Sequence, residues 1–455
     1  MSQKPRFGIP DLSLLLLTLA VAVGVRAAYL LGPASDGPPL RVQTEPPVLL
    51  ATDTELLDQS PAPLAARPER TAHTSPGYPW LLTMLTRVVS ESRLNAYARW
   101  LNCALGALAA GLYFLFAHFA FRSRLVATLA GLFCALHPYW VVNTAALNDG
   151  TLTAFLLGLT LYLGAQASRT GGAFASLLYG LALAALALVR APLLPFAFAA
   201  LLWFLLRSRR IERGWLCALL AFLGFANGLA LWTLRNYRAF HEPVPVVDSA
   251  YLHLWMGNNR LSDGGPQPEG VVLGTLALRR DTSPQELREE LAGMKQPRRY
   301  RSLSGDVLGE IREHPDAFLR HRIQAGEAFL YGADWLRGRR VVEATGGGSD
   351  LPAWLAGSYE PVLLAVLLLM LLLALVGWRW TYPWRHEAMP SSLALVCVPL
   401  PYLLAHAGAL HGARMPLDGV LLTYAAFALA CCLPGIGRDL LDGARGEDRP
   451  PEDYR

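Results

Sequence analysis

Charged residues are scarce in this chain. They make up 16% of its 455 residues, against 53% hydrophobic residues. Soluble proteins carry about 25% charged residues, so an ordinary soluble domain is excluded. The chain also lacks a glycine-rich nucleotide-binding loop, a zinc-ligand pattern and a readable Ser-His-Asp triad. A soluble fold that holds a nucleotide donor is therefore not indicated, and a substrate already in the membrane fits better.

Cysteine is also rare, with six residues in all. The cysteines lie in apolar segments, without metal-ligand spacing and outside the long polar loops where a disulfide framework would occur. We interpret all of them as small core residues: Cys103, Cys134, Cys217, Cys397, Cys431 and Cys432. The formal net charge of +5 comes largely from arginines in short loops between apolar runs, which indicates membrane topology and no nucleic-acid partner.

Long apolar runs, by contrast, recur throughout the chain, many near the roughly 20 residues that span a bilayer. They predict an all-α polytopic membrane protein with about ten transmembrane helices, whose extracytoplasmic loops carry short interfacial helices. No convincing cleavage site follows the first run, so we expect it to be retained as a helix. The predicted spans are 12–32, 95–120, 124–142, 150–167, 173–189, 192–206, 214–234, 359–379, 391–410 and 417–435.

The short arginine-rich loops all fall on one side of this arrangement, and the positive-inside rule identifies that side as the cytoplasm. They include RSRRIER at 207–213 and the tail after Ile436. We therefore expect a multi-pass protein of the cell (inner) membrane with cytoplasmic N- and C-termini. The active face would be extracytoplasmic, and membrane lipids would surround the protein at that face.

Four regions follow from this topology. Residues 1–235 form an N-terminal transmembrane catalytic module that includes the acidic first loop, 33–94. Residues 236–355 form an extracytoplasmic loop region with two or three surface helices. Residues 356–435 form the C-terminal transmembrane helices, and 436–455 a cytoplasmic tail.

Two helix boundaries within the extracytoplasmic region can be predicted from local chemistry. Ser283 followed by Pro284 is a typical helix start, because Ser caps free amides and Pro suits the first helical position. Pro315 interrupts an amphipathic stretch and predicts a break there.

Three carboxylates are candidate catalytic groups. Asp53 and Asp36 lie in the first loop, where a carboxylate near the interface can act as general base on an acceptor hydroxyl or amine. Either of them could instead be an ordinary solvated charge. Asp149 lies between the third and fourth predicted spans, where it could approach the first loop or simply cap the next helix.

Four arginines lie where apolar runs meet the predicted outer side: Arg26, Arg190, Arg235 and Arg414. An arginine there is costly unless it reaches the interface or a partner. Its planar fork suits the phosphate oxygens of a lipid-linked donor. Snorkelling to phospholipid headgroups is the alternative for each arginine taken singly. Because all four share one side, we predict that they bind the donor phosphate.

Further residues are predicted to line a substrate cavity. Tyr78 lies in the SPGYPW turn, which we expect to shape the cavity rim and to lead into a short helix along the outer membrane surface. Asn258 and Asn259 are placed to hydrogen-bond sugar hydroxyls, although a simple turn explains them equally well. His411 and His406, near Arg414, are a weak hint of metal binding or acid–base chemistry. No metal site is identified.

Several fragments together resemble the polytopic glycosyltransferases of the C-type fold, the group that contains dolichyl-phosphate-mannose protein mannosyltransferases and the lipid A aminoarabinose transferase. The fragments occur in the family's order over most of the chain. They are Arg26 at the end of the first span, the acidic first loop, SPGYPWLL, HPYWVVNTAALND, LALVRAP, LWTLRNYRAFHEPVPV, LWMGNNR, REHPDAFLRHR and GARMPLDGVLL.

This resemblance implies a mechanism. A polyprenyl-phosphate-linked sugar would enter from the bilayer, and a protein, lipid or glycan acceptor would arrive from outside. A first-loop aspartate, Asp53 or else Asp36, would deprotonate the acceptor, which attacks the anomeric carbon with inversion. Asp149 matches the family's second acidic position, and Arg190, Arg235 and Arg414 lie in its basic or cavity-lining segments. Some relatives use a divalent ion, so the resemblance leaves room for one as the sole cofactor.

Two departures from the family pattern keep other functions open. The family usually has a tyrosine four residues after the aspartate, where this chain has Leu57 after Asp53. The last motif is reduced to Arg414-Met-Pro416. A transporter of a lipid or amphiphile, or a non-catalytic member of the same fold, are the alternatives. Transporters usually place charges near the midplane and show two related halves, neither of which is evident here.

Overall fold

The computed structural model describes residues 8–32, 50–52, 55–56, 71–210, 213–331, 353–382, 385–407, 413–437 and 440. Among these, the chain is almost entirely α-helical, as predicted. The exception within the described residues is a short antiparallel ribbon in the first loop, where β1 (Leu50–Thr52) pairs with β2 (Glu55–Leu56).

Long apolar helices joined by short turns make up the N-terminal half. The turns include two short 3-10 segments, Asn143–Ala145 and Ala191–Leu193. The helices are α1 (Ile9–Leu31), the short α2 (Gly77–Thr86), α3 (Glu91–Phe121), α4 (Arg124–Leu136), α5 (Pro138–Val142), α6 (Gly150–Thr170), α7 (Ala173–Val189), α8 (Leu194–Ser208) and α9 (Gly214–Phe240).

Six smaller helices follow in the region after α9, where the sequence predicts two or three. They are α10 (Ala250–Asn258), α11 (Glu269–Arg280), α12 (Pro284–Ala292), α13 (Gln296–Ser302), α14 (Ser304–Glu313) and α15 (Pro315–Tyr331). The predicted boundaries at Ser283 and Pro315 are both present, and Ser283 forms a capping box with Glu286. Short helices were missed because they pack on a small core of their own, which includes Trp255 and Tyr300.

The C-terminal part contains α16 (Ala353–Trp380), α17 (Arg385–Cys397), α18 (Leu400–Leu404) and α19 (Met415–Cys431). Nearly every residue of α19 is buried, so this helix lies in the centre of the bundle. Tyr113 of α3 packs against Gly419 of α19, where a Cβ atom would clash with the tyrosine ring.

Each of the ten predicted segments coincides with an apolar helix. Six described helices are long and apolar enough to cross a membrane, and α4 with α5 makes a seventh if a bent pair counts as one span. The other three segments correspond to shorter apolar helices, Ala173–Val189, Ala365–Trp380 and Met415–Cys431. The chain is therefore a multi-pass membrane protein by the length and composition of its helices.

The segment predicted as one span over 124–142 is bent by 50° between α4 and α5. Pro138 lacks an N–H group and disfavours helical backbone at the residue before it, which explains the break at His137. The last carbonyl groups of α4 then have no helical partner. Arg26 of α1 supplies one, since its guanidinium donates to the backbone oxygens of Ala135 at 2.9 Å and Cys134 at 3.3 Å.

Candidate functional site

Four helices begin close together at one end of the bundle, which we call the outer end. The starts of α2 and α8 meet where the Ala191 N–H donates to Ser75 Oγ at 2.9 Å. The starts of α6 and α8 meet through an ion pair between Asp149 and Arg190. The starts of α6 and α19 meet because a Cβ atom on Gly150 would lie 2.9 Å from Met415 Sδ.

The sequence favours helix starts at these places. Proline stands within the first helical residues of α2, α8 and α19, at Pro79, Pro195 and Pro416. This position tolerates proline because its missing N–H has no helical acceptor there. Each helix start carries roughly half a positive charge from aligned peptide dipoles. Their convergence makes the outer end a favourable place for an anion such as a phosphate.

Asp149 and Arg190 form a bidentate ion pair in this place. Arg190 Nε donates to Asp149 Oδ2 at 2.8 Å, and Nη2 donates to Oδ1 at 2.5 Å. The Arg190 side chain is only 6% exposed, whereas that of Asp149 is 27% exposed. Burial acts to lower the pKa of Arg190, but the charge of Asp149 and its hydrogen bonds outweigh burial and hold that pKa above its usual value. Arg190 is therefore charged at neutral pH.

This pairing bears on the capping role proposed for Asp149. Asp149 precedes α6, but its side chain makes no hydrogen bond to the helix start. Asn148 does so instead, since its Oδ1 accepts from the Gly150 N–H at 2.9 Å. Capping alone is therefore excluded as the role of the Asp149 side chain. Snorkelling is likewise excluded for Arg190, which is buried and paired.

A second pair lies at the start of α19. Arg414 Nε donates to Asp418 Oδ1 at 2.7 Å, both side chains are buried, and Arg414 also donates to the Leu330 carbonyl of α15. His137, at the bend between α4 and α5, has its Nε2 atom 4.0 Å from Asp418 Oδ2. Sequence reasoning missed Asp418. The signal was available, since an acidic residue four positions after an arginine in a helix faces it, and a charge in an apolar span needs a partner.

Tyrosine side chains surround the two pairs. Tyr139 of α5 lies within electrostatic range of Asp418, Arg414, Arg190 and Asp149. Tyr402 of α18 interacts with Arg190. Tyr78 is 9% exposed on the first turn of α2 and lies close to Asp149. The outer end is thus a buried polar site lined by paired charges and phenol groups within an apolar bundle.

The other predicted phosphate-binding arginines are placed elsewhere. Arg26 is fully buried beside Gly106 of α3 and satisfies the end of α4. Arg235 of α9 donates to the Thr71 carbonyl at 3.0 Å and lies over the Trp232 ring. Arg26 and Arg414 are too buried for snorkelling to headgroups. A contact between Arg26 or Arg235 and a donor phosphate stays a prediction.

The predicted cavity asparagines mainly complete the fold. Asn258 donates to the carbonyl oxygens of Leu254 and Leu404, and Asn259 donates to that of Trp255 at 2.9 Å. These bonds fit a structural role in a simple turn, which is the alternative to sugar binding that the sequence leaves open. Asp53, Asp36 and His411 lie outside the described residues, so their predicted roles are untested.

Three histidines that sequence reasoning did not connect meet where the first loop ends. His253 Nδ1 and His406 Nε2 are 3.0 Å apart, and His73 stacks on His253 with ring centroids separated by 5.7 Å. Tyr300 flanks His73. Burial and the nearby His253 lower the pKa of His73 to about 3, so His73 is neutral at physiological pH.

A divalent metal ion stays a prediction as well. Within the described part of the chain, Glu310, Glu313 and His314 are the one group of three ligand atoms close enough to share an ion. Both glutamates already accept hydrogen bonds from Arg279, which makes a surface ion-pair network the simpler explanation. Both oxygens of Asp149 accept from Arg190, so a metal ion bound there would share the carboxylate with that arginine.

Comparison with known proteins supports the resemblance found in the sequence. Residues 73–233 match the family described as dolichyl-phosphate-mannose-protein mannosyltransferase. The archaeal oligosaccharyltransferase AglB from Archaeoglobus fulgidus, in complex with an inhibitory peptide and a dolichol-phosphate, aligns over 97% of this chain with a TM-score of 0.52 and 13% identity. Its apo form aligns over 96% with a TM-score of 0.51 and 14% identity.

The chain covers 52% of each of those two structures, so it spans about half their length. ArnT from Cupriavidus metallidurans bound to undecaprenyl phosphate aligns over 91% of this chain and 77% of its own, at 14% identity and a TM-score of 0.35. No curated protein matches in sequence. The oligosaccharyltransferase likeness shows the fold, and the family match confirms the predicted resemblance to C-type-fold glycosyltransferases.

Proposed function

We propose that this chain is a membrane glycosyltransferase that transfers a sugar from a polyprenyl-phosphate-linked donor to an acceptor at the extracytoplasmic face of the cell (inner) membrane. The observation that carries the proposal is the outer end itself. Four helix starts and two buried Arg–Asp pairs meet there within an apolar bundle. The family match over 73–233 includes α2, Asp149 and Arg190, so the matched segment contributes most of this site.

The chemistry of the donor explains why such a site is built in a membrane. A polyprenyl phosphate combines an apolar chain with an anionic head, and the head must leave water to reach a buried site. The paired charges are nearly neutral in sum, so the attraction for the phosphate comes from helix starts and from oriented arginine N–H groups. Positive groups fixed in this way also stabilise the charge that develops on the leaving phosphate.

The transfer step balances with residues of this chain. An acceptor oxygen or nitrogen attacks the anomeric carbon from the face opposite the phosphate, and the bond from that carbon to the phosphate oxygen breaks. The electron pair stays on the polyprenyl phosphate that leaves. The acceptor proton moves to a carboxylate of the first loop, Asp53 or Asp36. Asp149, whose side chain is partly exposed, orients Arg190 toward the phosphate.

Lipid binding and sugar transfer together test this proposal. Native mass spectrometry of the purified chain should detect copurified polyprenyl phosphate, and membranes supplied with labelled polyprenyl-phosphate sugars should yield a labelled acceptor fraction. Movement of the lipid across proteoliposomes without transfer would favour a transporter instead. Purified protein that binds undecaprenyl phosphate no better than undecaprenol would contradict the proposal and support a non-catalytic member of the fold.

A further inference from the structure

Tyr78 presents a buried hydroxyl group at the outer end whose proton the fold does not use. Its side chain is 9% exposed, and its O–H group has no acceptor among the residues that the structure describes, while the Asn102 amide approaches its Oη atom as a donor. A buried polar group without a partner destabilises a protein by about 1–3 kcal/mol, and such groups are rare for that reason. The hydroxyl group therefore calls for an explanation.

The backbone around Tyr78 fixes the ring without help from its hydroxyl. Gly77 packs so closely on α7 that a Cβ atom there would lie 2.5 Å from Val189 Cγ2. Ser75 is held by the Ala191 N–H at 2.9 Å, and the ring itself packs in the main hydrophobic core. A phenylalanine would satisfy the same packing, so the oxygen atom contributes nothing to the position of the ring.

The hydroxyl is a donor at neutral pH. Burial raises the pKa of Tyr78, and the negative charge of Asp149 raises it further, so the proton stays on the oxygen. Its polar neighbours are held by other contacts. The Asn102 amide, which approaches Tyr78 as a donor, also donates to the Ala146 carbonyl at 2.8 Å, and each oxygen of Asp149 accepts from Arg190. What the hydroxyl needs is an acceptor, and a phosphate oxygen is a strong one.

We propose that the Tyr78 hydroxyl donates a hydrogen bond to the phosphate of the lipid-linked donor. The proposal rests on the proposed function, because it assigns a residue to the phosphate of that same substrate. It gives Tyr78 a role beyond shaping the cavity rim. It also explains why α2 begins inside the cluster of helix starts, since the first turn of α2 places the Tyr78 hydroxyl group next to the phosphate.

Tyr78→Phe tests the proposal by its effects on stability and on binding, which should point in opposite directions. Removing a buried hydroxyl whose proton has no acceptor should leave the Tm of the lipid-free protein unchanged or raise it. Binding of undecaprenyl phosphate should weaken by roughly tenfold or more, as expected for the loss of one hydrogen bond to a charged group. Binding of undecaprenol, which has no phosphate, should not change.

Tyr179→Phe is the matched control. Tyr179 is as buried as Tyr78, but its hydroxyl donates to the Ala200 carbonyl at 2.9 Å, far from the outer end in sequence and contacts. Its loss should lower the Tm and leave undecaprenyl phosphate binding unchanged. If Tyr78→Phe behaves like Tyr179→Phe, its hydroxyl has a structural partner and the inference is overturned.

The failure of this inference can be separated from that of the proposed function. Equal phosphate-lipid binding by wild type and Tyr78→Phe, with no change in Tm, would overturn the role of Tyr78 while leaving a donor-binding site in place. Wild-type protein that does not distinguish undecaprenyl phosphate from undecaprenol would overturn both together.

Discussion

Two bidentate Arg–Asp pairs lie at opposite ends of the helical bundle, and they differ in which partner is buried. At the outer end Arg190 is 6% exposed and Asp149 is 27% exposed. At the other end, which we call the inner end, Asp11 is 1% exposed and Arg124 is 57% exposed. The outer pair therefore buries its cation and opens its carboxylate to the site, and the inner pair does the reverse.

Local structure explains the inner pair completely. Asp11 Oδ2 accepts from the Gly8 N–H at 2.8 Å, so the carboxylate completes the start of α1. Arg124 Nε then donates to Asp11 Oδ1 at 2.7 Å from the start of α4. The pair ties together the starts of two helices on the side that the positive-inside rule assigns to the cytoplasm.

The outer pair also joins two helix starts, but its carboxylate completes neither of them. The Asp149 side chain bonds to no helix start, and Arg190 lies between two apolar helices. A buried ion pair is weak evidence for stability, because desolvation offsets much of its attraction. The proposed function gives the outer pair a role in binding and transfer that the inner pair lacks, and the following experiments can break or sharpen that distinction.

The largest effect is expected for Asp149→Asn. This change leaves the buried Arg190 guanidinium without its counter-ion, which should destabilise the protein by about 3–5 kcal/mol. We also expect loss of sugar transfer, because Arg190 would no longer be held toward the phosphate. Thermal unfolding in detergent and transfer assays in membranes measure the two effects.

The double variant Asp149→Leu with Arg190→Met separates these effects. Replacing a buried pair by apolar side chains is often neutral for stability, so the Tm should recover while transfer does not. If the double variant regains activity along with its Tm, the outer pair is structural and the distinction between the two ends disappears.

The second expected effect is acid sensitivity at the outer end through His73. The folded pKa of about 3 lies below the model-peptide value of 6.5, so the unfolded chain binds a proton that the folded protein does not. Stability is therefore complete above pH 6.5 and falls as the pH drops toward 3. Between pH 7.5 and 5.5 this group should contribute a loss of about 1.4 kcal/mol.

His73→Phe should remove that part of the acid sensitivity while preserving the stacking on His253 and Tyr300. Thermal unfolding of both proteins at the two pH values provides the measurement. An unchanged pH dependence in the variant would mean that His73 is not buried in its neutral form.

The sequence was sufficient for the helices but not for their contacts. Each of the ten predicted segments is an apolar helix, because hydropathy depends on each segment alone, and six or seven of these helices are long enough to cross a membrane. The break at Pro138 could also have been predicted, since proline acts on its own neighbours. The six small helices after α9 were undercounted because the packing of their shared core, and not their individual amphipathicity, decides that they form.

The site was predicted only in part, because its residues were identified one by one and their contacts depend on the fold. Asp149 and Arg190 were both identified singly, but their pairing joins residues 41 positions apart and required the fold. Arg26 was assigned to phosphate because an arginine at a helix end suggests an anion. In the fold it donates to the carbonyl groups of Ala135 and Cys134, and its contact with a phosphate stays a prediction. Asp418 was the one partner within reach of sequence reasoning, four residues after Arg414.

The smallest effect is expected for Arg124→Gln at the inner end. Arg124 is more than half exposed, so water replaces much of its interaction with Asp11, and the carboxylate keeps its bond from the Gly8 N–H. We expect only a small loss in the free energy of unfolding, as is typical of exposed pairs. Undecaprenyl phosphate binding and sugar transfer should not change. A defect in either, at a Tm close to wild type, would show that the inner pair also serves the reaction, because an exposed cation at the far end of the bundle has no other way to affect the phosphate.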